Sequence, residues 1–502
     1  MPSSTLYGFF KNQITADLQI RRSDYVWLSI FTALLCVLTA GLWHPMPDSI
    51  LYINQARNLI HGHGLTHADS TRWVASPGYP ILISPFFLIN DMPLRVLTLF
   101  QTLLTVIYMF GVFAWASRHT KQTAILITGA ATLHAAVWQY CFPTTTEAAF
   151  MATMIWSIVC FTVWLDHRGT RLGKQAFTLA VLLICYCTFI RSAGLMIAVG
   201  AGIMLLLHDR STHRSFRQTF GVLMIWLGLP GLVILGFLIH ETQSTNLGWI
   251  QGTYLAGIAP NQSQGIFKTL LSGMQMRLSD IGRLMIPGML KAYSRDQSWI
   301  HASMFIYLPI IAGLIWAWVK IIRHKSDPLL WSLLPFTALH IVYMQFADGA
   351  RFMTPMLPVI MLLTWRLFGV FKSGQHATML ILLVLHASVI IGLTVREQPT
   401  LVDIHNQWKV AAICANLIKE DIGPVSSIED VNSLGLQVAI IADIRVQRKR
   451  PLAEINQSKP YWILKRVTDK KLDHYEINWA NNEFQLLKRK PPTQATLQNS
   501  PK

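Results

Sequence analysis

The chain has 502 residues, 52% of them hydrophobic and only 13% charged, against about 25% charged in a soluble globular protein. That balance excludes a soluble globular fold for most of the chain. The net charge of +17 comes without a nucleic-acid-binding motif, so it points to basic cytoplasmic loops and anionic lipid rather than to nucleic acid.

Apolar runs of about 18 to 20 residues, each long enough to cross roughly 30 Å of hydrocarbon, recur along the first four-fifths of the chain. They predict an all-α polytopic membrane protein with about eleven transmembrane helices, at 25–43, 94–117, 123–140, 147–165, 175–190, 193–207, 219–239, 302–322, 329–346, 352–371 and 377–395. No small-residue cleavage site follows the first run, which therefore reads as an anchor. Residues 1–24 form a cytoplasmic N-terminus, because Arg21 and Arg22 precede the first span. Alternation from there puts the short basic loops 118–122, 166–174, 208–218, 323–328 and 372–376 on the cytoplasmic side. Segments 44–93 and 240–301 and everything after Arg396 fall on the opposite side.

Within 44–93, Asp48, Tyr52, Ala56 and Leu59 share a helical face. Pro77-Gly78-Tyr79-Pro80 then opens a short apolar stretch, Ile81 to Ile89, too short to span and suited to an interfacial helix. After Val395 charged residues return. Trp408 to Lys419 has an amphipathic helical pattern, and Val438–Ile441 and Tyr461–Lys465 read as strands. Residues 396–490 are thus expected to form a small C-terminal α/β soluble domain, and 491–502 a disordered tail. The six cysteines, Cys36, Cys141, Cys160, Cys185, Cys187 and Cys414, form neither a disulfide framework nor a zinc pattern.

The polar groups of interest fall on the side opposite the basic loops. Asp48 is a candidate general base, with Tyr52 orienting substrate; the same residue also suits a helix N-cap. Glu147, after Thr144-Thr145-Thr146, is either a second acid lining a cavity or a carboxylate favoured at a helix start. Arg191, between two apolar runs, runs against the positive-inside bias and would hold a phosphate bidentately, or snorkel. Arg351 stands before Pro355 and Pro358, with Asp348 as a candidate ion-pair partner. Arg72, and Arg277, Arg283, Lys291 and Arg295 in the second outer segment, are further cations for anionic lipid or for solvent. His61, His63 and His67 invite a metal, but the intervening glycines fix no geometry and better terminate the helix begun at Asp48.

Taken together these residues resemble the GT-C class of polyprenyl-phosphate-sugar glycosyltransferases, in the bacterial branch of protein O-mannosyltransferases and the lipid A aminoarabinose transferase. The resemblance covers residues 25–395. It rests on Asp48, Tyr52, Ala56, Leu59, Gly62 and Gly64, then Pro77 to Pro80, Arg191 with Gly194, and Arg351-Phe352 with Pro355 and Pro358. Many relatives carry Asp-Glu where this chain has Asp48-Ser49, which leaves Glu147 as the candidate second acid.

The resemblance implies a multi-pass enzyme of the bacterial inner membrane with a periplasmic C-terminal domain. It implies transfer of a sugar from a polyprenyl-phosphate donor to a lipid, protein or glycan acceptor at the periplasmic face. Asp48 would act as base with inversion, Arg191 and Arg351 would neutralise the departing phosphate, and Tyr52 and Tyr79 would shape the sugar pocket. Arginines suffice for a monophosphate leaving group, so no cofactor or divalent metal is required. The alternatives are a transporter or flippase, expected to carry polar residues at mid-span, and a non-catalytic scaffold of the same fold.

Overall fold

The computed structural model describes residues 21–39, 47–65, 76–89, 93–121, 123–244, 266–285, 297–322, 327–342, 349–368 and 374–395, and five strands between 427 and 489. The chain divides into two compact units. One comprises Met1–Ser49, Ala75–Ile83 and Leu94–Arg396, the other Ile50–Val74, Ser84–Pro93 and Glu397–Lys502.

The first unit is helical. Its helices open with α1 (Arg22–Thr39), the first residues of α2 (Pro47–Ile60) and α3 (Gly78–Ile83). There follow α4 (Leu94–His119), α5 (Ala124–Thr132), α6 (Ala135–Cys141), α7 (Thr146–Asp166), α8 (Arg171–Ile190), α9 (Gly194–Ser211) and α10 (Phe216–Ser244). After these come α11 (Ile266–Met285), α12 (Gln297–Ile322), α13 (Pro328–Val342), α14 (Gly349–Met353), α15 (Leu357–Phe368) and α16 (Gly374–Val395). Among the described residues, seven helices are long and apolar enough to cross a membrane: α1, α4, α7, α8, α9, the Phe216–Phe237 part of α10, and α16. The bent pair α5–α6 makes an eighth when counted as one span, and Leu308–Ile322 and Pro328–Ile341 are shorter apolar helices. This is a multi-pass membrane protein.

One sequence expectation needs correction. The run 123–140 is not one straight span: α5 and α6 meet at 49°. His134 leaves the helix with an extended backbone, and its Nδ1 accepts from the Ala136 N–H at 3.1 Å, capping α6 anew. Segment 240–301 carries the twenty-residue helix α11, amphipathic with Leu284 and Met285 buried.

Helix α7 is the most enclosed of the spans and packs between α8 and α4. It is apolar all round, as a helix buried on every side must be. By contrast α10 and α16 expose rows of aliphatic and aromatic side chains, among them Phe220, Met224, Leu232, Leu380, Val384 and Ile391, as a lipid-facing helix does. Small residues permit close crossings. A Cβ on Gly200 of α9 would lie 2.2 Å from the Ser332 Cα of α13, and the Ser332 hydroxyl donates to the Ile197 carbonyl at 3.0 Å.

At one end of the bundle, side chains tie together the loops read from sequence as cytoplasmic. Arg118 pairs with Asp166, Arg168 Nη1 lies 2.5 Å from Asp209 Oδ1, and His119 Nε2 lies 2.8 Å from Asp327 Oδ2. Since α7 and α8 each run from one end to the other, Glu147 and Arg191 belong to the opposite end.

The second unit contains the rest of α2, a 3-10 turn over Ser84–Leu88, and strands β1 (Ser427–Asp430), β2 (Arg445–Gln447), β3 (Trp462–Arg466), β4 (Tyr475–Ala480) and β5 (Phe484–Arg489). The strands form one mixed sheet in the order β2-β1-β3-β5-β4. β1 runs parallel to β2 and β3, whereas β5 is antiparallel to β3 and β4. Strand β3 falls on the expected run 461–465. The expected helix 408–419, the run 438–441 and the tail 491–502 lie outside the described residues.

Candidate active site

Three elements deliver one charged cluster. The first is the start of α7. The loop before it is pinned by the Thr145 hydroxyl, which donates to the Tyr140 carbonyl at 2.7 Å, and by the Gln101 amide, which donates to the Thr145 carbonyl at 3.0 Å. Glu147 therefore sits in the first turn of a helix, where the dipole favours a carboxylate, and it is fully buried.

The second element is the end of α8. Arg191 leaves the helix with an extended backbone while its N–H still bonds the Cys187 carbonyl at 2.9 Å. The chain then turns so tightly that a Cβ on Gly194 would lie 2.7 Å from the Thr188 nitrogen, so only glycine fits. The third element is α14, which carries Arg351 and passes through a 3-10 turn (Thr354–Met356) into α15. Pro355 and Pro358 fall where this change of helix type leaves little need for their missing N–H groups.

Arg191 Nη1 lies 2.9 Å from Glu147 Oε1, and Arg351 Nε bonds the same oxygen. Two guanidiniums against one carboxylate leave one formal positive charge. The side chains of Arg191 and Arg351 are 16% and 10% exposed, that of Glu147 0%. An approaching anion thus meets guanidinium, with the carboxylate beneath it. Arg191 also sits 5.0 Å from the Phe352 ring centroid and 5.6 Å from that of Phe150, a cation–π arrangement that orients its plane. Behind these rings Phe336 stacks on Phe150 at 6.5 Å, and His340 lies 4.5 Å from Phe336 and 5.5 Å from Phe352. His340 Nδ1 lies 2.7 Å from the Phe336 carbonyl, an acceptor, so Nδ1 carries the proton.

Arg277 of α11 adds a further buried cation, 1% exposed, whose field reaches His340. Its Nη1 lies 2.9 Å from Asp280 Oδ2, but off the line that a hydrogen bond needs, and no guanidinium nitrogen has a hydrogen-bond partner. In the sequence it was one of four ambiguous outer-loop cations.

Tyr79 is fully buried, with its hydroxyl bonded to the Gln101 amide. Gln101 thereby links the Pro77–Pro80 element to the loop before Glu147. A Cβ on Gly78 would lie 2.6 Å from the Phe189 carbonyl carbon and oxygen, and the Tyr186 hydroxyl donates to the Gly78 carbonyl at 3.0 Å. The Pro-Gly-Tyr-Pro element therefore lies directly on the end of α8 that presents Arg191.

The structure thus brings together Tyr79, Glu147, Arg191 and Arg351 in the first unit. Asp48 lies in the first turn of α2, but its side chain is outside the described residues, as are Arg72 and Asp348. Tyr52 is buried on α2 in the second unit. Gly62 and Gly64 have φ of +82° and +75° and end α2, as helix-terminating glycines do. Among the described residues no group of three His, Cys, Asp or Glu side chains is placed to hold a metal ion. The sequence reading passed over Gln101 and His340. The available signal was a lone amide or imidazole within an otherwise apolar run.

No family model matches the chain, and no curated protein sequence matches it. Solved structures do. ArnT from Cupriavidus metallidurans, bound to undecaprenyl phosphate, superposes with a TM-score of 0.55 at 10% identity, over 92% of this chain and 97% of ArnT. The oligosaccharyltransferase of Archaeoglobus fulgidus, in complex with zinc and sulfate, superposes with a TM-score of 0.54 at 11% identity, over 88% of this chain and 68% of its own. Both are GT-C glycosyltransferases.

The chain has the GT-C fold.

At such low identity the shared GT-C fold carries no residue assignments.

Proposed function

We propose that this protein is an integral membrane glycosyltransferase that moves a sugar from a polyprenyl-phosphate carrier to an acceptor hydroxyl at the periplasmic face. The observation that carries this reading is the pair of arginines held on Glu147, with one positive charge in excess and the guanidiniums rather than the carboxylate accessible. A phosphate monoester is the ligand that such a pair suits, because planar guanidinium forks match its oxygens. ArnT, of the same fold, binds undecaprenyl phosphate.

In this reading Asp48 takes the proton of the acceptor hydroxyl. The oxygen attacks the anomeric carbon from the face opposite the phosphate, the bond from that carbon to the phosphate oxygen breaks, and the electron pair leaves with the carrier phosphate. The sugar inverts. Arg191 and Arg351 stabilise the charge that develops on the leaving phosphate, with Arg277 as a further cation for it. Glu147 keeps the two arginines apart and oriented in the absence of substrate. Tyr52, Tyr79 and Arg72 are assigned to substrate binding, and the arginines make a divalent metal unnecessary.

The test is mass spectrometry of lipids and glycans from cells carrying Asp48→Asn in place of the wild-type residue. Loss of one glycosyl modification with accumulation of a lipid-linked sugar is expected. Transfer at the wild-type rate removes Asp48 as the base. Arg351→Ala in the purified protein should weaken binding of undecaprenyl phosphate, and unchanged carrier affinity overturns the role of the arginines.

A further inference from the structure

At the end of the bundle away from Glu147, one arginine is only half satisfied. Arg168 lies in the turn between α7 and α8, where Gly169 takes a φ of +88°. The Arg168 side chain is 8% exposed. Its guanidinium lies 4.3 Å from the Trp164 ring centroid, and its Nη1 lies 2.5 Å from Asp209 Oδ1. The other carboxylate oxygen of Asp209 accepts from the Thr219 hydroxyl at 2.7 Å. Ring and anchored carboxylate thus hold the guanidinium in one orientation. Among the described residues its Nε and Nη2 have no hydrogen-bond partner. Those two N–H groups lie side by side along one edge of the planar fork, the edge that grips two oxygens of one anion.

The surroundings say which anion. Asp209 balances one cation, and Asp166 is taken by Arg118. The field of Arg214 also reaches Arg168, and both reach His208. Arg214 is held beside Asp209 by its own N–H, bonded to the Asp209 carbonyl at 3.0 Å, with His213 in the left-handed region at a φ of 52°. Arg210, Arg214 and Arg217 on this turn are exposed, as are Gly169, Thr170 and Arg171 next to Arg168. A ligand therefore meets the cluster at the surface of the turns, not in the core of the bundle. Beside it Phe216 and Phe220, 72% and 48% exposed, stack at 5.9 Å, and Leu206 and Leu207 of α9 are exposed as well. Cations bordering exposed apolar side chains at the ends of membrane helices match a headgroup phosphate that carries its acyl chains with it.

We propose that Arg168, with Arg214 beside it, binds the headgroup phosphate of an anionic phospholipid in the adjacent leaflet. The site lies at the opposite end of the bundle from the arginine pair on Glu147, and it does not depend on the glycosyltransferase reading.

The test uses the full chain purified in detergent, as wild type, Arg168→Lys, Arg214→Gln and Arg22→Gln. Lysine can still pair with Asp209 but lacks the fork. Arg214 and Arg22 are both exposed, and Arg22, on α1, controls for bulk charge. The probes are phosphatidylglycerol, phosphatidylcholine and inorganic phosphate, followed by native mass spectrometry and by melting temperature. Wild type is expected to hold phosphatidylglycerol about tenfold more tightly than phosphatidylcholine and to melt higher in its presence. Arg168→Lys should lose about tenfold in affinity for phosphatidylglycerol, and Arg214→Gln about fivefold, with Arg22→Gln unchanged. Unaltered affinity in Arg168→Lys overturns the proposal; should that variant not fold, unaltered affinity in Arg214→Gln overturns it instead. An equal loss in Arg22→Gln shows bulk charge alone at work and overturns it too. So does a rise in melting temperature with inorganic phosphate as large as with the lipid, which assigns the edge to a soluble anion.

Discussion

Arg191 reaches Glu147 with its Nη1 2.9 Å from Oε1, joining the residue that caps the C-terminal end of one membrane helix to the first turn of the helix packed against it. The contact spans 44 positions of sequence and is shared with Arg351, more than two hundred positions from Glu147. Removing one partner of a buried ion pair costs about 3 to 5 kcal/mol, because the other is left uncompensated. Glu147→Ala should therefore lower the melting temperature in detergent more than Arg351→Ala, and Arg351→Ala more than Arg191→Ala, whose side chain is the most exposed of the three. A Glu147→Ala protein as stable as wild type would mean that water, not carboxylate, screens the arginines.

Gly78 touches the backbone of Phe189 and Ile190 too closely to accept a methyl group. Because both sides of this contact are backbone, neither can rotate away. Gly78→Ala should destabilise by about 1 to 3 kcal/mol and should weaken undecaprenyl phosphate binding, since the displaced end of α8 carries Arg191. Retained stability and carrier affinity would show that the helix end shifts without cost.

Asp327 lies at the basic-loop end, just before α13. Burial alone would push its carboxyl up. His119 beside it, the Leu330 N–H at 2.9 Å and the Trp115 indole at 2.9 Å instead hold it below the usual carboxylate range. A depressed folded-state pKa contributes stability that is fully present above the unfolded value of about 3.9 and is lost as pH falls through the folded value. Melting temperatures in detergent should therefore drop on acidification below about pH 4. Asp327→Asn should flatten that acid limb while lowering stability at neutral pH. An unaltered acid limb in the variant would place its origin in other carboxylates.

The loop pairing around Asp166, Asp209 and Asp327 fixes which helix ends lie together, and the positive-inside rule assigns a side to them. Reporter fusions at residue 170 should read cytoplasm, and fusions at residue 450 periplasm. The reverse pattern would turn the arginine cluster toward the cytoplasm and end the periplasmic reading.

The proposed neutralisation of the phosphate by two arginines predicts transfer without a divalent ion. Activity in purified membranes should persist in excess EDTA, with the rate within about twofold of the untreated sample. Loss of activity, restored by adding a divalent cation, would assign part of the phosphate charge to a metal.

The sequence by itself determined that the chain is a multi-pass membrane protein, because runs of apolar side chains answer directly to hydrocarbon thickness and need no knowledge of neighbours. It also singled out Glu147, Arg191 and Arg351, because a charge at the end of an apolar run is expensive wherever the chain folds. Gly194 and the Pro77–Pro80 element were legible for a similar local reason: each restricts the backbone at its own position. Only the tertiary structure decided that one carboxylate oxygen serves both arginines, that Gln101 binds Tyr79 to the loop before Glu147, and that α5 and α6 bend apart at His134. It also decided which buried polar groups, at Arg277 and on one edge of Arg168, have no hydrogen-bond partner. Those facts depend on which helix ends meet. Helix periodicity fixes the face a residue occupies but not the partner it faces, and that choice is made by small-residue crossings such as Gly200 on Ser332, between segments far apart in the chain.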